Sequence, residues 1–144
     1  MGTKITTGTD INSSPATVWN VLTDFPAFPE WNPFIKSIAG DLVEGSKLKV
    51  RLQPPGGRAI TMTPTLLSVV PQQELKWLGH LLIPGIFDGE HHFSIHPAGD
   101  GRVRFTQEES FNGMMVPLTR SVLAKTENGF HEMNKALKQR AESM

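Results

Sequence analysis

His91, Gln107 and Glu109 are the residues of this chain whose types and spacing invite chemistry. They sit in two runs, Phe87-Asp-Gly-Glu-His-His-Phe-Ser-Ile95 and Arg102-Val-Arg-Phe-Thr-Gln-Glu-Glu-Ser-Phe111, that alternate by twos. That period marks a β-strand with one buried face, and here the apolar face also carries these three polar groups. A glutamate and an imidazole on an apolar wall can trade protons with a bound molecule, as a cyclisation, dehydration or aldol step requires. They can equally bond one another and ordered water, orienting a ligand or only shaping the interior. Glu109 and His91 are thus the catalytic candidates, with ligand positioning and plain structural satisfaction as the alternatives.

Pro97-Ala-Gly-Asp-Gly101 joins the two runs as a turn. With His96 set against Arg102, His91 faces Gln107, Phe93 faces Phe105 and Gly89 faces Glu109. His91 and Glu109 are then diagonal neighbours about 7 Å apart. A slip of two residues places them directly opposite each other and leaves both on the same face. Gly89 removes a side chain beside Glu109, leaving space for a ligand or water.

Other elements must position this hairpin. Lys4 to Ile11 reads as a first strand. Asn12-Ser-Ser-Pro15 supplies capping oxygens and a proline at a first helical position, so a helix starts there and buries Val18, Trp19, Val21 and Leu22 to about Asp24. Prolines 26, 29 and 33 forbid one long helix from Phe25 to Phe34 and predict a kinked connector or short helical turn. Strands follow at Phe34 to Ala39, Lys47 to Gln53, Ala59 to Val70 (with Pro64 implying an edge or bulge) and Gln73 to Gly79. Gly40 to Gly45 and Pro54 to Gly57 are turns. From about Met115 to Glu142, Leu118, Val122, Phe130, Met133 and Leu137 draw one stripe along a helix of roughly 40 Å. The order is strand, helix pair, six strands, long helix: an α+β domain with helices on one side of a curved antiparallel sheet.

Composition narrows the partners. The 144 residues, 38% hydrophobic, fit one domain spanning 1–144. Fourteen basic residues balance fourteen acidic ones without a like-charge block, so nucleic acid is not an expected partner. The absence of cysteine rules out disulfides, thiolate nucleophiles and cysteine zinc sites, and fits a reducing compartment. No run of about 18 apolar residues or signal-type apolar core is present, so no stable membrane insertion and a cytoplasmic location are expected. His91 and His92 point to opposite faces, and His92 and His96 lie roughly 13 Å apart on a strand, which predicts no metal. There is no phosphate loop and no nucleophile elbow, and no cofactor is expected.

Parity and helical phase nominate Trp77, Phe87, Phe93, Phe105, Phe111, Val122, Phe130 and Met133 as walls of a ligand cavity, or as ordinary core. Six methionines suit an adaptable pocket. Leu81 to Ile86 and Phe111 to Leu118 are apolar connections, tucked over the core or serving as a gate or partner surface.

This order, with Asn12-Ser-Ser-Pro-Ala-Thr-Val-Trp19, Asp24-Phe-Pro-Ala-Phe-Pro-Glu-Trp-Asn-Pro33 and Gly129-Phe-His-Glu-Met-Asn-Lys-Ala-Leu137, resembles the START-like superfamily of Bet v 1 proteins and polyketide cyclase/dehydrases, over nearly the whole chain. The resemblance implies a helix-grip fold: a seven-stranded sheet around a long C-terminal helix, two short helices between strands 1 and 2, and a cavity for lipids, polyketides or aromatic compounds. The chain departs from the Bet v 1 branch, whose glycine-rich loop lies between strands 2 and 3. Here that place is Gly40-Asp-Leu-Val-Glu-Gly45 and the double glycine falls one hairpin later, so plant-type ligand contacts do not carry over. Binding of a small hydrophobic molecule, oriented by His91, Gln107 and Glu109, is the leading expectation, as a monomer or a dimer. A cyclase or dehydratase using Glu109 and His91, and a protein-partner module similar to chaperone-ATPase activators, are the alternatives.

Overall fold

A computed structural model describes residues 3–81, 84–114 and 120–144. Strand β1 (Thr3–Ile11) turns Ile5, Thr7 and Ile11 inward. Helix α1 (Pro15–Thr23) begins where the Ser14 hydroxyl accepts the Thr17 N–H at 3.1 Å and Pro15 needs no partner for a missing N–H. It ends at Asp24, and the prolines divide the next segment into a single 3-10 turn (Phe25–Ala27) and the short α2 (Phe28–Trp31). Phe25, Phe28 and Trp31 pack edge to face there, at 5.7 and 5.2 Å between centroids. Asn32 Oδ1 then accepts the N–H groups of Phe34 and Ile35, at 2.9 and 2.8 Å, and turns the chain into β2 (Ile35–Ala39).

Strands β3 (Lys49–Leu52) and β4 (Ile60–Met62) complete a small sheet, β2-β3-β4. The larger sheet takes β5 (Thr65–Val70), β6 (Glu74–Leu81), β7 (Phe87–Pro97) and β8 (Val103–Asn112) in the antiparallel order β1-β8-β7-β6-β5. The run expected as one strand from Ala59 to Val70 is therefore two, giving eight strands among the described residues rather than seven. Pro64 breaks it, because it has no N–H for a ladder, and the two pieces join different sheets. The Pro64 carbonyl instead accepts from Leu48 N at 2.9 Å. Leu66 exchanges bonds with Gly45 and Ser46 at 2.8 and 2.9 Å, so the two sheets form one stitched wall.

Helix α3 (Arg120–Glu142) packs against β1, β8, α1 and α2. Its buried stripe runs Leu123, Thr126, Gly129, Phe130, Met133, Asn134, Leu137, Ala141, at spacings of three, four and one. The expected start near Met115 and the stripe position Leu118 lie outside the described residues, as do residues 82 and 83. Val122 is 43% exposed, because the stripe passes through Leu123 instead. Gly129 lets the Phe34 ring lie directly on the helix, where a Cβ would collide with it.

The β7–β8 register differs from the one centred on Gly99. Asp100 is the turn apex, flanked by Gly99 (φ 110°) and Gly101 (φ 65°), both in the left-handed region that glycine enters freely. Ala98 N bonds Arg102 O at 3.0 Å, Pro97 pairs with Val103 and His96 with Arg104. The pairing is thereby slipped by two residues: His91 lies opposite Glu109, Phe93 opposite Gln107 and Gly89 opposite Phe111.

Candidate functional site

The inward face of β7 and β8 carries a buried polar chain whose direction is fixed at one end. The Thr7 hydroxyl donates to the Gln107 backbone carbonyl at 2.7 Å, and a carbonyl only accepts. Thr7 Oγ1 is therefore free to accept from Asn134 Nδ2, at 2.9 Å. Asn134 Oδ1 in turn accepts from Gln107 Nε2 at 2.7 Å, with the Phe130 carbonyl a second acceptor at 3.4 Å. Gln107 then presents Oε1 to His91 Nε2, 2.9 Å away, so that nitrogen carries a proton. His91 Nδ1 faces Glu109 Oε1 at 3.4 Å.

Burial holds the imidazole still. Rings of Phe93, Phe130 and Trp77 lie at centroid distances of 4.4, 4.9 and 5.2 Å, and His91 is 3% exposed. Glu109 has one oxygen toward this box and the other over Gly89, where a Cβ would collide with the carboxyl. Gly79 pairs with Gly89 across β6 and β7, and the Met62 methyl fills the place of its side chain. Two facing glycines thus hollow the wall.

That hollow opens into an apolar pocket of ≈ 220 Å³. Leu52, Ile60 and Met62 line it from the small sheet, with Phe34 and Pro54 beside them. Gly79, Phe87, Gly89, Glu109 and Phe111 line it from the large sheet, and Val122 and Thr126 from α3. Lys125 Nζ reaches the Gly56 carbonyl at 3.3 Å and ties α3 to the β3–β4 turn beside Pro54.

Of the residues nominated from sequence, Phe87, Glu109, Phe111 and Val122 line this pocket. Trp77, Phe93, Phe105, Phe130 and Met133 are buried behind it, packing as core. His91 and Gln107 also sit behind the wall and reach the pocket only through Glu109. Sequence reasoning missed Thr7, Asn134 and Thr126. Thr126, Phe130 and Asn134 recur at intervals of four, so polar residues on the α3 stripe were the available signal. The contribution of β3 and β4 had no such signal beyond their alternation. The apolar connections 81–86 and 111–118 fall partly outside the described residues. Around them, Asp88 accepts the Gly85 N–H and meets His80 at 2.7 Å, and the His80 bond, with that N–H, lowers the Asp88 carboxyl below its ordinary value.

A larger groove, ≈ 400 Å³, lies on the opposite face of the sheet. Its polar groups satisfy one another. His92 sits between Glu74 at 2.7 Å and Glu108 at 3.3 Å, and Ser68 donates to Glu74 at 2.5 Å. The Ser68 hydroxyl, then the His92 charge, hold the Glu74 carboxyl below its ordinary value against the opposing effect of burial. Because His92 lies between the carboxylates, these groups do not converge on a point, and no three His, Asp or Glu side chains among the described residues are placed to hold a metal ion. No described helix is long and apolar enough to cross a membrane.

Antiparallel sheet, two short helices and a long C-terminal helix closing an apolar pocket define a START-like, helix-grip protein. The Zhui aromatase/cyclase from Streptomyces sp. R1128 superimposes with a TM-score of 0.80 at 12% identity, over 99% of this chain and 94% of that one. A START superfamily protein from Mycobacterium smegmatis gives 0.74 at 19% identity, over 97% of each chain. Ara h 8.0201 gives 0.73 at 16%, over 100% of each. The chain belongs to the family described as polyketide cyclase / dehydrase and lipid transport, whose sequence model it matches over residues 2–142. No curated protein sequence matches it significantly.

Proposed function

We propose that this protein binds a small hydrophobic molecule between α3 and the sheets, with Glu109 meeting the ligand's polar end and His91 and Gln107 holding Glu109 in place. The observation that carries this reading is the apolar hollow behind Val122, with a single carboxyl on its wall. Apolar surface left unfilled forfeits dispersion contacts that a fitting ligand restores. Membership in a family described by lipid transport agrees with it. 2-Naphthol titrated against methyl-labelled methionine should give a saturable shift of the Met62 methyl. Val122→Trp, at the exposed rim, should weaken that binding about tenfold or more. No saturable shift, or equal affinity in the variant, would refute the proposal.

A second reading, a cyclase or dehydratase with Glu109 and His91 as its acid-base pair, is favoured by the ordered polar chain ending at Glu109. Likeness in fold to an aromatase/cyclase is compatible with it. Glu109→Gln and His91→Ala separate the two. Loss of turnover of a cyclising polyketide chain with affinity retained supports the enzyme, whereas parallel loss of both leaves a binding protein.

A further inference from the structure

From the direction of the hydrogen bonds behind the pocket, we infer that its ligand must bring a hydrogen-bond donor, as an alcohol, a phenol or an N–H group does. This inference rests on the binding reading above and narrows it. Nε2 of His91 carries a proton because Gln107 offers it only an oxygen. Nδ1 and Glu109 Oε1 are 3.4 Å apart, an ion-pair contact rather than a hydrogen bond, and two facing lone pairs in that buried setting repel, so a proton held by either group is best placed between them. That proton belongs either to an imidazolium beside a carboxylate or to a carboxylic acid beside a neutral imidazole. In both states the second oxygen, over Gly89, carries no hydrogen and can only accept.

Thr126 is the other polar side chain on the wall. Its hydroxyl hydrogen is spent on the Val122 carbonyl at 2.8 Å, so toward the pocket it too can only accept. No side chain among the described lining residues offers a donor. A ketone or ether oxygen entering here loses its water and gains nothing, and an ionised carboxylate likewise brings only acceptors and gives up the hydration of a full charge as well. A cavity of about 150 Å³ takes up benzene, and the ≈ 220 Å³ of this pocket is about half as large again, room within it for a fused two-ring group.

The test is a matched panel, naphthalene, 2-methoxynaphthalene, 2-naphthol and 2-naphthoate, titrated at neutral pH while following the Met62 methyl. In the unmodified protein 2-naphthol should bind at least about fivefold tighter than naphthalene or 2-methoxynaphthalene, and 2-naphthoate weakest. Glu109→Gln should keep that order, because its amide can donate to His91 Nδ1 and turn its oxygen to the pocket. Glu109→Leu should erase the naphthol advantage. A smaller advantage in the unmodified protein, or naphthoate binding as tightly as naphthol, overturns the donor requirement while leaving the binding reading intact. No saturable shift with any of the four overturns both.

Discussion

Asn134→Ala tests the polar chain on which the site's protonation logic depends. Asn134 is 2% exposed and makes two short bonds, accepting from Gln107 Nε2 at 2.7 Å and donating to Thr7 Oγ1 at 2.9 Å. Truncation leaves the Gln107 amide with only the Phe130 carbonyl at 3.4 Å, a nearly orphaned buried donor. Such a group costs about 1–3 kcal/mol, and the bond lost by Thr7, which keeps its own acceptor, adds about 0.5–1. The expected destabilisation is therefore about 1.5–4 kcal/mol, or a fall in Tm of about 5–13 °C for a domain of this size. Urea unfolding followed by tryptophan fluorescence measures it. A cycle with Thr7→Val sharpens the test, since that change alone orphans Asn134 Nδ2 and the two losses overlap. A coupling of about 1 kcal/mol or more is expected. A loss below about 1 kcal/mol in Asn134→Ala, or additive effects in the cycle, would show that the amides are not locked. The assignment of the His91 proton to Nε2 would then fall.

Two further perturbations address the surroundings of the site. Glu74 titrates below its ordinary value of 4.5, chiefly through Ser68 and then His92, so the contribution of its carboxylate is present above that value and is lost as pH falls through the lower folded-state one. Ser68→Ala should accordingly cost about 1 kcal/mol near pH 6, and its urea midpoint should converge with that of the unmodified protein as the medium is acidified and Glu74 becomes protonated in the folded state. A gap independent of pH would refute this. Gly129→Ala should gain about 1 kcal/mol from helix propensity yet lose more by driving a methyl into the Phe34 ring, for a net loss of about 1–2 kcal/mol in thermal unfolding. A stabilised variant would mean that Phe34 yields easily and that the pocket beside it is softer than the packing implies.

Much of this architecture is local and was readable along the chain. Ser14 and Pro15 start α1, the prolines at 26 and 29 interrupt the helix after it, and alternation by twos puts His91, Gln107 and Glu109 on one face. Each arises from chemistry within a few residues. The register of β7 on β8 did not, because a slip of two residues preserves every inward and outward assignment. Only the placement of two left-handed glycines around Asp100 decides it. Nor could Pro64 reveal that the strand it breaks would continue in another sheet.

The polar chain and the hollow were further still from view. Thr7, Gln107 and Asn134 come from three distant segments and meet only when α3 docks with its stripe in one rotational phase. Alternation distinguishes inside from outside but not filled from empty. Trp77, Phe93 and Phe130 fill the space around His91, while the facing pair Gly79 and Gly89 leaves a gap that Met62 and Glu109 partly enter. Whether an interior position touches a void depends on the summed volumes of side chains from several elements. The chain thus settles which residues face inward, and close packing in three dimensions settles which of them a ligand can reach.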